Sequence, residues 1–237
     1  MTLHENTSKL SFETPPIGSF LKLISLCNTP NPVVAEIGTF VGATTVYAAQ
    51  LVKEKQGTYI AVDHFLGTDA YGPHSTTKLQ GDGLQKFVSN IDAVECGSMT
   101  KIYNMDSLEA AKELADASVD ICFIDAAHGY TSVKKDILAY LPKVKSGGII
   151  CGHDFEYGSH LIIDQITEEE CEMDYMFRLV KTVNYLEYSR TDKDVLIGQK
   201  ILHTMNTPFW LHPGVTKAVL EIFGKNPNLK ITEDNVW

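Results

Sequence analysis

The stretch Pro32-Val33-Val34-Ala35-Glu36-Ile37-Gly38-Thr39-Phe40-Val41-Gly42 decides the reading of this chain. Its first half is a short apolar run after a proline, the pattern of a buried strand. Its second half is a glycine-bearing turn, and a helix is predicted from there towards Lys53. Glycine lets a backbone turn tightly and approach a ligand, while the opening of a helix presents unpaired N–H groups. A small ligand carrying a carboxylate suits this turn, and Thr44 could add a hydroxyl donor. A structural strand-to-helix turn with no ligand is the plain alternative. The dinucleotide fingerprint GxGxxG is absent, because Phe40 stands at its middle glycine position.

The same alternation continues on both sides of the turn. Upstream, Ile17, Phe20, Leu21 and Ile24 recur at helical spacing after Pro15-Pro16. Downstream, strands are predicted at Thr58–Val62, Lys101–Tyr103, Val119–Ile124 and Ile149–Cys151. Helices are predicted at Leu108–Leu114 and along the stripe Val133, Ile137, Leu141, Val144. Short apolar strands alternating with amphipathic helices imply a doubly wound, mainly parallel α/β sheet. In such sheets ligands bind beyond the carboxyl ends of the strands. Glu36, Asp63, Asp125 and His153-Asp154 all fall at predicted strand ends.

Each of these positions has a chemical reading and a plain one. Asp63, ending the second strand, suits the vicinal hydroxyls of a ribose, or it simply begins a turn. Asp106 and Ser107, after the third strand, could receive a base, or Ser107 merely caps the next helix. Asp125 and His128, then His153 and Asp154, gather carboxylates and imidazoles in one cleft if adjacent strands carry them. Such a cleft could hold a divalent cation that acidifies a substrate hydroxyl, or only hydrogen-bonded water. An imidazole takes up a proton near neutral pH, so His128 could accept one from that hydroxyl. His64, His74, His160, His203 and His212 show no such grouping and read as surface or capping residues.

Composition narrows the class. The 237 residues suffice for one α/β domain, with 44% hydrophobic and 21% charged residues and a formal charge of -10. That balance speaks against a nucleic-acid surface. No run approaches the roughly 20 apolar residues of a membrane span, and residues 1–15 read as a polar arm rather than a secretory signal. Five scattered cysteines without CxxC spacing fit a reduced, cytoplasmic protein. Beyond Asp154 the pattern weakens until the helix Val215–Phe223, opened by His212-Pro213-Gly214; Lys230 to Trp237 reads as a closing edge strand.

Taken together, Ala35–Gly42, Val62-Asp63, Asp106-Ser107, Val119–Tyr130, Ser132–Asp136, Ser146–Phe155 and His212–Phe223 resemble a known family. It is the class I methyltransferases of the macrocin O-methyltransferase and cephalosporin hydroxylase-like group, related to catechol-type O-methyltransferases. The resemblance covers roughly residues 30–155 and 212–224. It implies a seven-stranded Rossmann-like sheet and methyl transfer from S-adenosylmethionine to a hydroxyl of a small molecule or sugar. By that likeness Glu36, Gly38, Thr39, Gly42 and Thr44 surround the amino-acid end of the cofactor. Asp63 binds its ribose, and Asp106 with Ser107 borders the adenine. Asp125, His153 and Asp154 fall on the magnesium ligands of metal-dependent members, and His128 on the base of some.

The chain departs from the family in two respects. His153 replaces an oxygen ligand, whereas magnesium prefers oxygen, so a different divalent cation or none is implied. The segment at about 157–210 is longer than expected and reads as an insertion that shapes the acceptor pocket or mediates homo-oligomer formation. Competing functions are a nucleotide-dependent oxidoreductase on the same fold, a non-catalytic S-adenosylmethionine-binding protein and, least favoured, a metal hydrolase.

Overall fold

The computed structural model describes residues 16–67, 81–156, 159–161, 163–173, 176–179, 183–190, 196–203, 208–226 and 228–237. The arm expected at residues 1–15 and His74 lie outside them. The deciding stretch forms strand β1 (Val33–Ile37) and the turn leading to helix α2 (Thr45–Glu54), preceded by α1 (Gly18–Leu26). The chain continues through β2 (Thr58–Asp63), α3 (Gly83–Ala93), β3 (Thr100–Asn104), α4 (Ser107–Glu113), β4 (Val119–Ile124), α5 (Tyr130–Tyr140) and β5 (Val144–Gly152). These five strands pair in the order β3-β2-β1-β4-β5, every pair parallel.

Strand alternation sorts the core into two layers. Val34, Tyr59, Ala61, Ile121 and Phe123 face Phe20 and Ile24 of α1, Val46 and Val52 of α2, and Phe87 and Ile91 of α3. Ala35, Ile37, Ile60, Val62, Cys122 and Ile124 face Ala110 of α4, Val133 and Ile137 of α5, and Val215 and Val219 of the last helix. Because helices cover both faces, the strands read as continuous apolar runs. Helix α3 was not anticipated, although Leu84, Phe87, Val88 and Ile91 carry the i, i+3, i+4, i+7 spacing.

The expected Rossmann-like parallel sheet is present, with five of the seven expected strands in it among the described residues. The insertion instead folds as nested antiparallel pairs. After α6 (Glu168–Cys171), β6 (Met176–Leu179) pairs with β9 (Pro208–Leu211), and β7 (Val183–Arg190) pairs with β8 (Leu196–His203). The chain then enters α7 (Pro213–Phe223). The closing segment forms no strand, yet Trp237 and Gly152 exchange both backbone hydrogen bonds, at 3.0 and 3.2 Å. A Cβ on Gly152 would meet the Trp237 indole at 2.5 Å, so glycine permits this seal on the end of β5. All five cysteines are free. Among the described residues, no helix is long and apolar enough to cross a membrane.

Candidate functional site

The chain runs from β1 to β2 and β3 on one side, then crosses back to β4 beside β1. This reversal opens a crevice between the carboxyl ends of β1 and β4. There the Asp125 N–H donates to the Ile37 carbonyl at 2.8 Å, and the Gly38 N–H donates to the Val62 carbonyl at 2.8 Å. A Cβ on Gly38 would lie 2.0 Å from the Asp125 carbonyl oxygen, and its φ is +89°. Only glycine satisfies both conditions. The glycine turn is therefore pressed directly against the loop that carries Asp125 and His128.

Phe40 takes φ 49°, a left-handed conformation that costs a side-chain-bearing residue energy. In return its N–H donates to Asp63 Oδ2 at 2.7 Å, while the Phe65 N–H donates to Asp63 Oδ1 at 2.7 Å. Asp63 is thus fixed across from the turn with its side chain 14% exposed. A carboxylate has about four lone-pair directions, so two remain for ligand hydroxyls. Thr39 is buried and its Oγ1 has no hydrogen-bond partner. An unsatisfied buried hydroxyl beside an open turn is the feature a bound polar ligand would complete.

The other residues expected at this ligand divide. Thr44 is buried at the start of α2 and makes no capping bond with its side chain. Glu36 turns beneath the turn, where it accepts hydrogen bonds from Thr45 Oγ1 (2.5 Å) and Tyr59 Oη (2.7 Å). Burial pushes its carboxyl up to about 8, against the lowering effect of those two bonds. It supports the turn from below. Asp106 caps α4 by accepting from the Leu108 N–H at 2.8 Å, and Ser107 donates to Asp136 Oδ1 at 2.6 Å. The capping role expected of Ser107 falls instead to Asp106, one residue earlier, and the Ser107 hydroxyl is committed to α5.

On the β4 and β5 side, the expected cluster forms. Asp154, with φ 63°, aims both oxygens into the cleft. Its Oδ2 lies 2.9 Å from His128 Nε2 and its Oδ1 2.9 Å from His153 Nδ1. Asp125 Oδ1 stands 4.0 Å from each of these nitrogens. For His153, desolvation lowers the pKa but Asp154 and Asp125 outweigh it and push it up to about 9. For Asp154, burial acts upward, yet the two imidazoles hold the carboxyl far below its usual range. Asp125, His128, His153 and Trp237 line a small cavity with Ile124 and Val215 among its apolar walls.

Two members of the cluster escaped the sequence. His212, grouped with surface histidines, packs edge-on against His128 with ring centroids 4.6 Å apart. Glu156 holds it, bonding His212 Nδ1 with one oxygen and accepting the His212 N–H at 3.0 Å with the other. The signal was the His-Pro-Gly start of α7. Pro213 suits the first turn of a helix, and a Cβ on Gly214 would meet the His128 carbonyl oxygen at 2.3 Å. The glycine lets α7 begin against the His128 loop, whereas a sequence pattern shows only a helix start. Of the remaining histidines, His64 and His160 are exposed.

A parallel sheet of this order, with a glycine turn facing an acid on the neighbouring strand, defines a Rossmann-like cofactor-binding domain. Residues 35–155, just over half of the chain, match a family described as a methyltransferase domain, and the chain belongs to that family. Among solved structures, it is similar to an O-methyltransferase from Bacillus cereus in complex with SAH, at 14% identity and TM-score 0.51, covering 75% of this chain and 79% of that one. It also matches a SAM-dependent O-methyltransferase from Thermotoga maritima, at 12% identity and TM-score 0.45, covering 84% of this chain and 65% of that one. A cofactor-bound protein from MTB matches at 16% identity and TM-score 0.47, covering 67% and 62%. The chain thus spans less than two thirds of the length of the last two. No curated protein matches the sequence.

Proposed function

We propose that this chain is an S-adenosylmethionine-dependent O-methyltransferase acting on a hydroxyl of a small molecule or sugar. One observation carries the reading: the turn tied to Asp63 through the Phe40 N–H lies against the backbone of the acid, Asp125, that opens the carboxylate–imidazole cluster. Membership of the methyltransferase-domain family supports it. When bound, S-adenosylmethionine supplies an electrophilic methyl group on a sulfonium. Gly38, Thr39, Gly42 and Thr44 would hold its amino-acid end, Asp63 its ribose, and the surface near Asp106 its adenine.

The protein's own part is alignment and proton management. Asp125 would orient the acceptor hydroxyl, and the neighbouring imidazole of His128 would take its proton, a role worth about 10²–10⁴ in rate. A divalent cation belongs to the same reading, with Asp125, His153 and Asp154 one donor set for it. Calorimetric titration with S-adenosylmethionine, in chelator and again with added cation, tests the proposal. Micromolar binding supports it; no binding under either condition removes it. Full turnover of the true acceptor by Asp125→Ala would remove Asp125 from the chemistry.

A further inference from the structure

The cleft offers a second donor set that the family pattern does not contain. His128, Asp154 and His212 each present a ligand atom within 4.8 Å of the others. We propose that these three residues form a site for a borderline transition-metal dication of the manganese, iron(II) or zinc class, rather than for magnesium. The site stands on its own geometry, while the use of the ion in methyl transfer rests on the function proposed above.

Two imidazoles and one carboxylate suit such ions, whereas magnesium favours an all-oxygen octahedron. Donor atoms about 2.1 Å from one ion, at angles of 90–110°, stand roughly 3.0–3.4 Å apart. His128 Nε2 to Asp154 Oδ2 is 2.9 Å, and His212 Nδ1 to Asp154 Oδ1 is 3.7 Å, so small adjustments close a sphere. The side chains are mostly enclosed, with 13%, 14% and 17% exposure for His128, Asp154 and His212. Glu156 bonds the same His212 nitrogen, Nδ1, and accepts the His212 N–H at 3.0 Å, so an ion would displace the Nδ1 contact while the backbone bond keeps His212 in place.

Two independent features hold the set together. The close approach at Gly214 presses the start of α7 onto the backbone of His128 and Tyr130, bringing His212 to His128 from a distant part of the chain. The left-handed backbone of Asp154 turns its carboxylate towards both rings. Without the ion His128 keeps the proton-accepting role given above; with it bound, His128 would be a ligand and that role would pass to Asp125, 4.0 Å away.

The test is equilibrium dialysis of the chelator-stripped full chain against Mn²⁺, Zn²⁺ and Mg²⁺, with metal measured by mass spectrometry. Near-stoichiometric uptake of Mn²⁺ or Zn²⁺ at micromolar concentration, with none of Mg²⁺ at the same concentration, is expected. His212→Ala and His128→Ala should each weaken uptake by more than about tenfold, and His153→Ala by less than threefold. His128→Ala keeps the test valid should His212→Ala fail to fold. Equal affinity for Mg²⁺, no uptake at all, or loss confined to His153→Ala would overturn the inference. S-adenosylmethionine titrated into the same stripped protein separates the two proposals: cofactor binding without metal uptake overturns this one alone.

Discussion

Replacing Asp63 by alanine tests the cofactor site at its most constrained point. In the folded protein its two oxygens each accept one backbone N–H at 2.7 Å, from Phe40 and Phe65. Two acceptor directions remain, matching the two hydroxyls of a ribose. Hydrogen bonds to a charged group contribute about 1.5–3 kcal/mol each, and water competes for part of that. The expected loss on Asp63→Ala is therefore about 3 kcal/mol, on the order of 100-fold in Kd for S-adenosylmethionine. Releasing the two backbone donors also costs stability, about 2 kcal/mol, or roughly 4–8 °C in Tm for a chain of this size. Calorimetry gives the first quantity and a thermal melt the second. Asp63→Asn keeps the shape and one acceptor oxygen, so its Kd should fall between the two. A folded Asp63→Ala protein that binds within threefold of wild type would refute the ribose assignment.

Two further perturbations address the same turn and the carboxyl beneath it. Thr39→Val removes the buried hydroxyl that lacks a partner; its Tm should hold or rise slightly, while S-adenosylmethionine binding in calorimetry weakens by about tenfold. Glu36 titrates near 4.5 when unfolded and about 8 when folded. Between these values the folded state binds more protons, so stability falls as pH rises from 4.5 to 8 and levels off above. Thermal melts across that range should show this slope in wild type and lose it in Glu36→Gln; an equal slope in both would contradict the assignment.

The core of the fold was legible because its signals are local. Apolar runs such as Val33–Ile37 and Val119–Ile124 announce buried strands, and the helical stripe at Val133 and Ile137 marks α5. The same locality located the strand-end acids, since a parallel sheet directs them to one edge. It failed where a segment lacks an interpretable period. The insertion gave no pattern, yet its strands pair with each other over up to eight positions, Val183–Arg190 with Leu196–His203. Register of that kind is fixed by backbone hydrogen bonding across the pair, which no periodicity within one strand reports.

By itself the sequence determined the parallel α/β class, the glycine turn with Asp63 opposite, and the presence of Asp125, His128, His153 and Asp154 at strand ends. Tertiary structure alone decided that Glu36 faces inward to Tyr59, that Ser107 belongs to Asp136, and that His212 with Glu156 joins the cluster. The reason is one of range. Propensity and period are written over a few neighbouring residues, whereas His128 and His212 meet because Gly214 allows two backbones, remote in sequence, to touch.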